Sequence, residues 1–243
     1  MGYNIMTLTF MSIEQILSHP QVEVPSPISV FYYDRAYIND HLDSLTDNLS
    51  HVTADALGVS VESMLDEQRQ VTDGFDFLLT VEDNGTIVAY AGYIKHVTPV
   101  GVVLHESGKM TRKDQQGKGH GTRLTRSAID MKPDVDFLSF STQNPYEVAS
   151  VKKALPNVQF APIDKTYDAT LQHALISSIA QRNVTDVNLT TDLRQALYGK
   201  RFGDYTITPK NPTIAKIEHS FAAIDFVRER GDGVYIVGKI SQE

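Results

Sequence analysis

The chain has 243 residues, 41% of them apolar, a formal charge of −8 and no cysteine. That length and apolar content suit one sizeable core, read as a single domain over 1–243, while the missing cysteine excludes disulfides, thiolate chemistry and cysteine-based zinc sites. The acidic balance speaks against general nucleic-acid binding, no apolar run reaches a membrane span, and the N-terminus lacks a signal peptide's basic region and apolar core, so a soluble cytoplasmic protein is expected.

A short helical piece around 12–17 and a link punctuated by Pro20, Pro25 and Pro27 lead to a first strand over 28–33. Helices follow over 36–49, extended by 52–56 in one reading, and over 60–70. An apolar strand over 75–81 reaches Asn84-Gly85, a dipeptide suited to a two-residue hairpin turn, and 86–94 returns as its partner. A third strand over 100–110 precedes a glycine-rich loop and an amphipathic helix to about Asp130. A strand over 136–140, a helix opened by Asn144-Pro145 through Leu155 and a short strand over 159–162 complete this part. Helical spacing of Leu171, Leu175, Ile176 and Ile179 predicts a helix over 168–181, and Thr190 or Thr191 caps a second through Tyr198. Together these form a helical insertion near 165–215. The chain ends with strands over 222–230 and 234–240 flanking Gly231-Asp232-Gly233.

The loop Gln116-Gly117-Lys118-Gly119-His120-Gly121 carries the chemistry. Glycines permit positive φ and close approach of a ligand to the main chain. At the start of a helix such a loop directs free N–H groups toward one point, where the helix dipole favours an anion. A phosphate cradle follows, with Lys118 at its rim. The spacing is wrong for a Walker loop, and the polar stretch before it is wrong for the dinucleotide fingerprint, which follows a buried strand.

Gln116, Gly119 and Gly121 form the pattern Gln-x-x-Gly-x-Gly, which resembles the acyl-CoA-binding motif of the GNAT superfamily of N-acyltransferases. The flanking order of strand, hairpin, strand, loop, helix, strand and helix resembles that family's core. The resemblance implies an α/β fold with a mixed, mainly antiparallel central sheet, flanking helices and a C-terminal β-hairpin. It implies acetyl-CoA as co-substrate, its pyrophosphate held by the loop and the helix start, from Gln116, Gly117, Lys118, Gly119, His120 and Gly121 to Thr122. It also implies an amine as acceptor, on a small molecule or a protein, and direct transfer of the acyl group. Met110 and Thr111 are the candidates for main-chain contacts to the pantetheine arm and the carbonyl, with Gly108 allowing a bulge. Arg112 and Arg123 are further candidates to meet the phosphates.

Glu106 is the first candidate for general base, with His105 its neighbour on the strand; alternation turns only one of them to the cleft. His96 is a weaker candidate. Asn144 matches an Asn of the family at the start of the following helix, but the family's Tyr seven residues on is Val151 here. Tyr146 and Tyr167 are the substitutes considered for the acid, and Phe160 stands near the place of the family's Gly-Phe. His120 is expected to face solvent or the nucleotide, and Tyr32, Tyr33 and Tyr37 to flank the acceptor. The scattered histidines show no metal spacing. The insertion either closes over the acceptor site or forms a homodimer interface. The alternative function is a non-catalytic module that keeps the coenzyme A pocket.

Overall fold

The computed structural model describes residues 21–22, 29–164, 168–171, 173–174, 194–195, 211–223 and 233–240. In chain order the elements are β1 (Gln21–Val22), β2 (Val30–Asp34), α1 (Arg35–Asp40), α2 (Leu42–Leu57), α3 (Leu65–Asp73), β3 (Phe77–Asp83), β4 (Thr86–Thr98) and β5 (Gly101–Thr111). After a short 3₁₀ turn come α4 (His120–Met131), β6 (Phe137–Thr142), α5 (Pro145–Ala154), β7 (Phe160–Ala161), β8 (Arg194–Gln195), α6 (Pro212–Ala223) and β9 (Gly233–Lys239).

The strands form one sheet in the order β1-β2-β3-β4-β5-β6-β9-β7, with β8 also on β9. Every pairing is antiparallel except β5 with β6. The expected mixed, mainly antiparallel sheet flanked by helices is therefore what the chain builds. The turn between β3 and β4 carries Asn84 at φ 51° and Gly85 at φ 76°, the two left-handed residues that a tight hairpin of this twist needs.

Strand alternation divides the side chains between two layers. Phe77, Leu79, Val81, Leu104, Leu138 and Phe140 pack with Leu124 and Ala128 of α4, Val148 and Val151 of α5, and Ile217 and Phe221 of α6. On the other face, Leu78 and Tyr90 pack with Ile38, Leu45, Leu49 and Val52 of α1 and α2. Further along that face Val103, Phe137, Tyr235 and Val237 pack with Leu171 and Ala174. Residues 169–171 and 173–174 are helical, so the described part of the helix expected over 168–181 forms. Val148 and Val151 show no exposure, and each contributes about 1.5–3 kcal/mol by leaving water.

Two expectations need correction. Arg194 and Gln195 are not helical but pair with Val234 and Gly233, where two residues complete the edge of a buried strand. Ala222 and Ala223, expected to open a strand, end α6, whose buried Ile214, Ile217 and Phe221 recur at helical spacing. The second arm of the expected terminal hairpin forms as β9, antiparallel to β6 and β7. The expected helix around 12–17, Tyr167 and most of the expected strand over 222–230 lie outside the described residues.

Candidate active site

The site is built where two parallel strands part. β5 pairs with β6 only from Val103–Phe137 to Glu106–Phe140. Beyond that point β5 runs on to Thr111 against β4, and β6 runs on to Thr142 against β9. Met110 and Thr111 thus lie where β5 has left β6 while still paired with β4. At the fork, Gly92 pairs with Gly108 and Tyr93 with Glu106; Ser107 is the extra residue of a bulge. The bulge expected near Gly108 is present, and it changes which side chains share a face.

The glycine loop crosses one end of the fork. Gln116, Gly117, Lys118 and Gly119 are exposed, and the Gln116 side-chain amide donates to the Thr111 carbonyl at 3.2 Å. Gly117 and Gly119 hold φ of 82° and 83°, values that an L side chain rarely adopts. A Cβ at either would meet no atom within 4 Å, so backbone conformation explains these two glycines and open space lies beside them. Gly119 is the N-cap of α4, and no side chain caps this helix. The first N–H groups of α4 have no partner within the helix, and they face a loop with room beside its backbone. This cradle fits a pyrophosphate.

Gly121 has a different reason. A Cβ there would lie 2.7 Å from Ser150 Oγ, so this glycine lets α4 approach α5. Thr122 serves the same contact, its hydroxyl donating to the Ser150 carbonyl at 3.2 Å. Of the two surroundings expected for His120, solvent or the nucleotide, solvent does not apply: it is 2% exposed, and neither ring nitrogen has a hydrogen-bond partner among the described residues. Burial, then the charges of Arg123 and Lys118, lower its pKa. The imidazole is therefore neutral at pH 7, and both cations lie close to the loop. Lys118 Nζ donates to Gln115 Oε1 at 2.9 Å; Arg112 Nε lies 3.9 Å from Asp114.

Asn144 caps α5, its Oδ1 accepting from the Tyr146 N–H at 3.0 Å, so that side-chain oxygen is engaged in holding the helix start. Tyr146 is half-buried on the first turn.

His105 and Glu106 point to opposite faces, as alternation requires. His105 joins the β6 side, its Nδ1 2.9 Å from Ser139 Oγ, with the His96 ring 6.5 Å away; both histidines are buried. Glu106 points under α4. Its Oε2 accepts from Tyr93 Oη at 2.9 Å and from Thr125 Oγ1 at 3.1 Å, and its Oε1 lies 2.6 Å from Lys109 Nζ. The Glu106 side chain is 0% exposed, so no acceptor amine reaches it directly. Burial, then the Glu106 charge, holds the Tyr93 hydroxyl well above its usual pKa.

Lys109 and Glu147 complete this cluster, and neither was singled out from sequence. Lys109 Nζ lies 3.9 Å from Glu147 Oε1. Glu106 and Lys109 are three apart, a spacing that regular alternation sends to opposite faces; the bulge at Ser107 brings them together. The signal was the Gly108 bulge itself, once its effect on phase is counted.

Tyr33 and Tyr37 pack on each other, ring centroids 4.9 Å apart, while Tyr32 makes other contacts. Tyr32 packs on Phe77 at 5.6 Å. Tyr33 donates to Glu82 at 3.0 Å, and Tyr37 stacks on His41. Phe160 sits in the core, edge-on to Phe140 at 6.0 Å.

A sheet that forks beside a glycine loop and an uncapped helix start offers a site for an anionic ligand. Residues 45–152 match the model of the Acetyltransferase (GNAT) family. No curated protein matches the chain. Among solved structures, the ribosomal-protein-S18-alanine N-acetyltransferase from Escherichia coli is 14% identical over 89% of this chain and 96% of its own, with a TM-score of 0.45. The IAA acetyltransferase from Bacillus cereus is 12% identical over 88% and 99%, with a TM-score of 0.42. The protein yncA from Salmonella typhimurium, solved with its cofactor acetyl-CoA, is 17% identical over 56% and 82%, with a TM-score of 0.35. None of them says what this chain acts on.

Proposed function

We propose that the chain is an acyl-CoA-dependent N-acyltransferase, most simply an N-acetyltransferase, which moves an acetyl group from acetyl-CoA to an amine by direct transfer in a ternary complex. The supporting observation is the cradle itself. Gly117 and Gly119 are held at positive φ with open space beside them, ahead of a helix start that no side chain caps. Glycine adopts that conformation without strain, and it leaves the main chain open to close approach by an anion. Gln116 to Thr122 would hold the pyrophosphate, with Lys118, Arg112 and Arg123 supplying positive charge. The edge of β5 freed beyond Glu106, at Met110 and Thr111, would take the pantetheine arm and polarise the thioester carbonyl.

The bound co-substrate supplies an activated acyl group on sulfur; the chain's own residues orient it and move protons. Glu106, the expected base, is enclosed and ion-paired. In this mechanism it holds Lys109 in place and leaves proton transfer to groups nearer the gap. The acceptor is a small-molecule or protein amine.

Thermal unfolding with acetyl-CoA tests this reading. Saturating ligand at about 100 times its dissociation constant stabilises the native state by about 2.7 kcal/mol, which raises Tm. An unfolding midpoint indifferent to coenzyme A and its acyl esters would sink the proposal. Stabilisation without thiol release across a broad amine panel would favour a non-catalytic module.

A further inference from the structure

We propose that Glu147 is the general acid of the transfer, its carboxyl giving a proton to the sulfur that leaves the thioester; this rests on the acyl-transfer reading above. Glu147 lies on the first turn of α5. Its carboxylate lies 3.9 Å from Lys109 of β5 and hydrogen-bonds Thr142, the last residue of β6. Lys109 and Thr142 both lie beyond the last paired residues of their strands. The carboxylate therefore spans the gap where the strands part. Its side chain is 18% exposed, against 0% for Glu106 and 5% for Lys109. Glu147 is thus the end of the cluster that meets solvent.

The titratable groups facing it are Lys109 and Glu106 on β5 and Tyr93 on β4. From α4, Thr125 presents a hydroxyl that contacts both Lys109 and Glu106. Burial raises the Glu147 pKa to about 7; Lys109 opposes the rise and the Glu106 charge adds to it. At neutral pH a large fraction of molecules therefore carry the proton, the condition a general acid requires. Val151, one turn further along the same helix face, is wholly buried and has no proton to give.

In the step, the amine lone pair forms the C–N bond and the C–S bond breaks, its electron pair staying on sulfur. Glu147 gives its proton to that sulfur. The nitrogen sheds one proton to water, and a proton from water restores Glu147. Hydrolysis of acetyl-CoA at the same site needs the same protonation, so the test requires no known acceptor.

Thiol release from acetyl-CoA is measured against pH for the wild type and for Glu147→Gln. Wild-type release should fall as pH rises through about 7, because the acid form is lost. The variant should be slower by about 10²-fold or more and should lack that limb, while acetyl-CoA still raises its Tm. In the free wild-type protein, carboxyl ¹³C NMR should find Glu147 titrating near 7, and free coenzyme A should move that midpoint. A wild type that acetyl-CoA does not stabilise defeats the acyl-transfer reading itself. Stabilisation with unchanged release and pH profile in Glu147→Gln overturns the acid assignment alone. If the variant does not fold, the wild-type titration decides: a midpoint near the ordinary value of about 4.3, or one that free coenzyme A leaves in place, overturns it.

Discussion

Lys109 is 5% exposed and Glu106 has no exposed side-chain surface, so each depends on the other's charge to replace the solvation that water would otherwise supply. Breaking a buried pair from one side costs about 3–5 kcal/mol, because the survivor stays buried and uncompensated. Glu147 lies 3.9 Å from Lys109; removing the Glu106 charge, which helps keep it protonated, favours its ionised form as a counter-charge, which puts Glu106→Gln near the low end, about 3 kcal/mol. Chemical denaturation should show that loss. Glu106→Gln combined with Lys109→Met should recover part of it, since the orphaned ammonium is then gone. An unchanged midpoint in Glu106→Gln would mean that the pair holds nothing together. The loop glycines separate in the same way. Gly119→Val forces a β-branched residue into φ 83° beside open space; its main effect should be on coenzyme A affinity, read by titration calorimetry. Gly121→Val drives atoms toward Ser150 and should cost about 1–3 kcal/mol of stability by overpacking, with binding lost as a consequence. If both variants lose equal stability, the two glycines do not have the separate roles that the geometry gives them.

At the scale of elements, what was legible depended on whether the signal was local. The Asn84-Gly85 turn, α4 and the capped start of α5 follow from turn, periodicity and capping chemistry within a few residues. The glycine loop was legible for the same reason: its positive φ values and its place at a helix start lie in its own backbone. The buried cluster of Glu106, Lys109 and Glu147 was not. It needs a one-residue bulge to rephase β5, a fork set by β6 and β9, and a side chain from α5 reaching across. His105 and Glu106 were correctly sent to opposite faces, yet alternation alone carried no statement of burial, so Glu106 read as accessible. For His120, read as facing solvent or the nucleotide, only solvent is ruled out, because the helix start turns the ring inward. The strand at Arg194–Gln195 was missed because two residues carry no period, and only pairing with β9 defines them.

In the whole molecule β9 joins the layers. It lies between β6 and β7 in the sheet and also carries β8. Val234 and Ile236 enter the core with α4, α5 and α6, while Tyr235 and Val237 enter the core on the opposite face. A strand near the C-terminus of the sequence is therefore interior, and it fixes β6, one side of the fork where the thioester is proposed to sit. Ile236 shows no exposure, so Ile236→Ala removes buried methylene groups and leaves a cavity, at about 2–5 kcal/mol. Because both cores share β9, that loss should appear as one cooperative transition at lower denaturant, with the slope kept. Coenzyme A should still stabilise the folded fraction of this variant, since no residue of the loop is touched. Two separate transitions in Ile236→Ala would show that the faces unfold independently and that β9 does not join them.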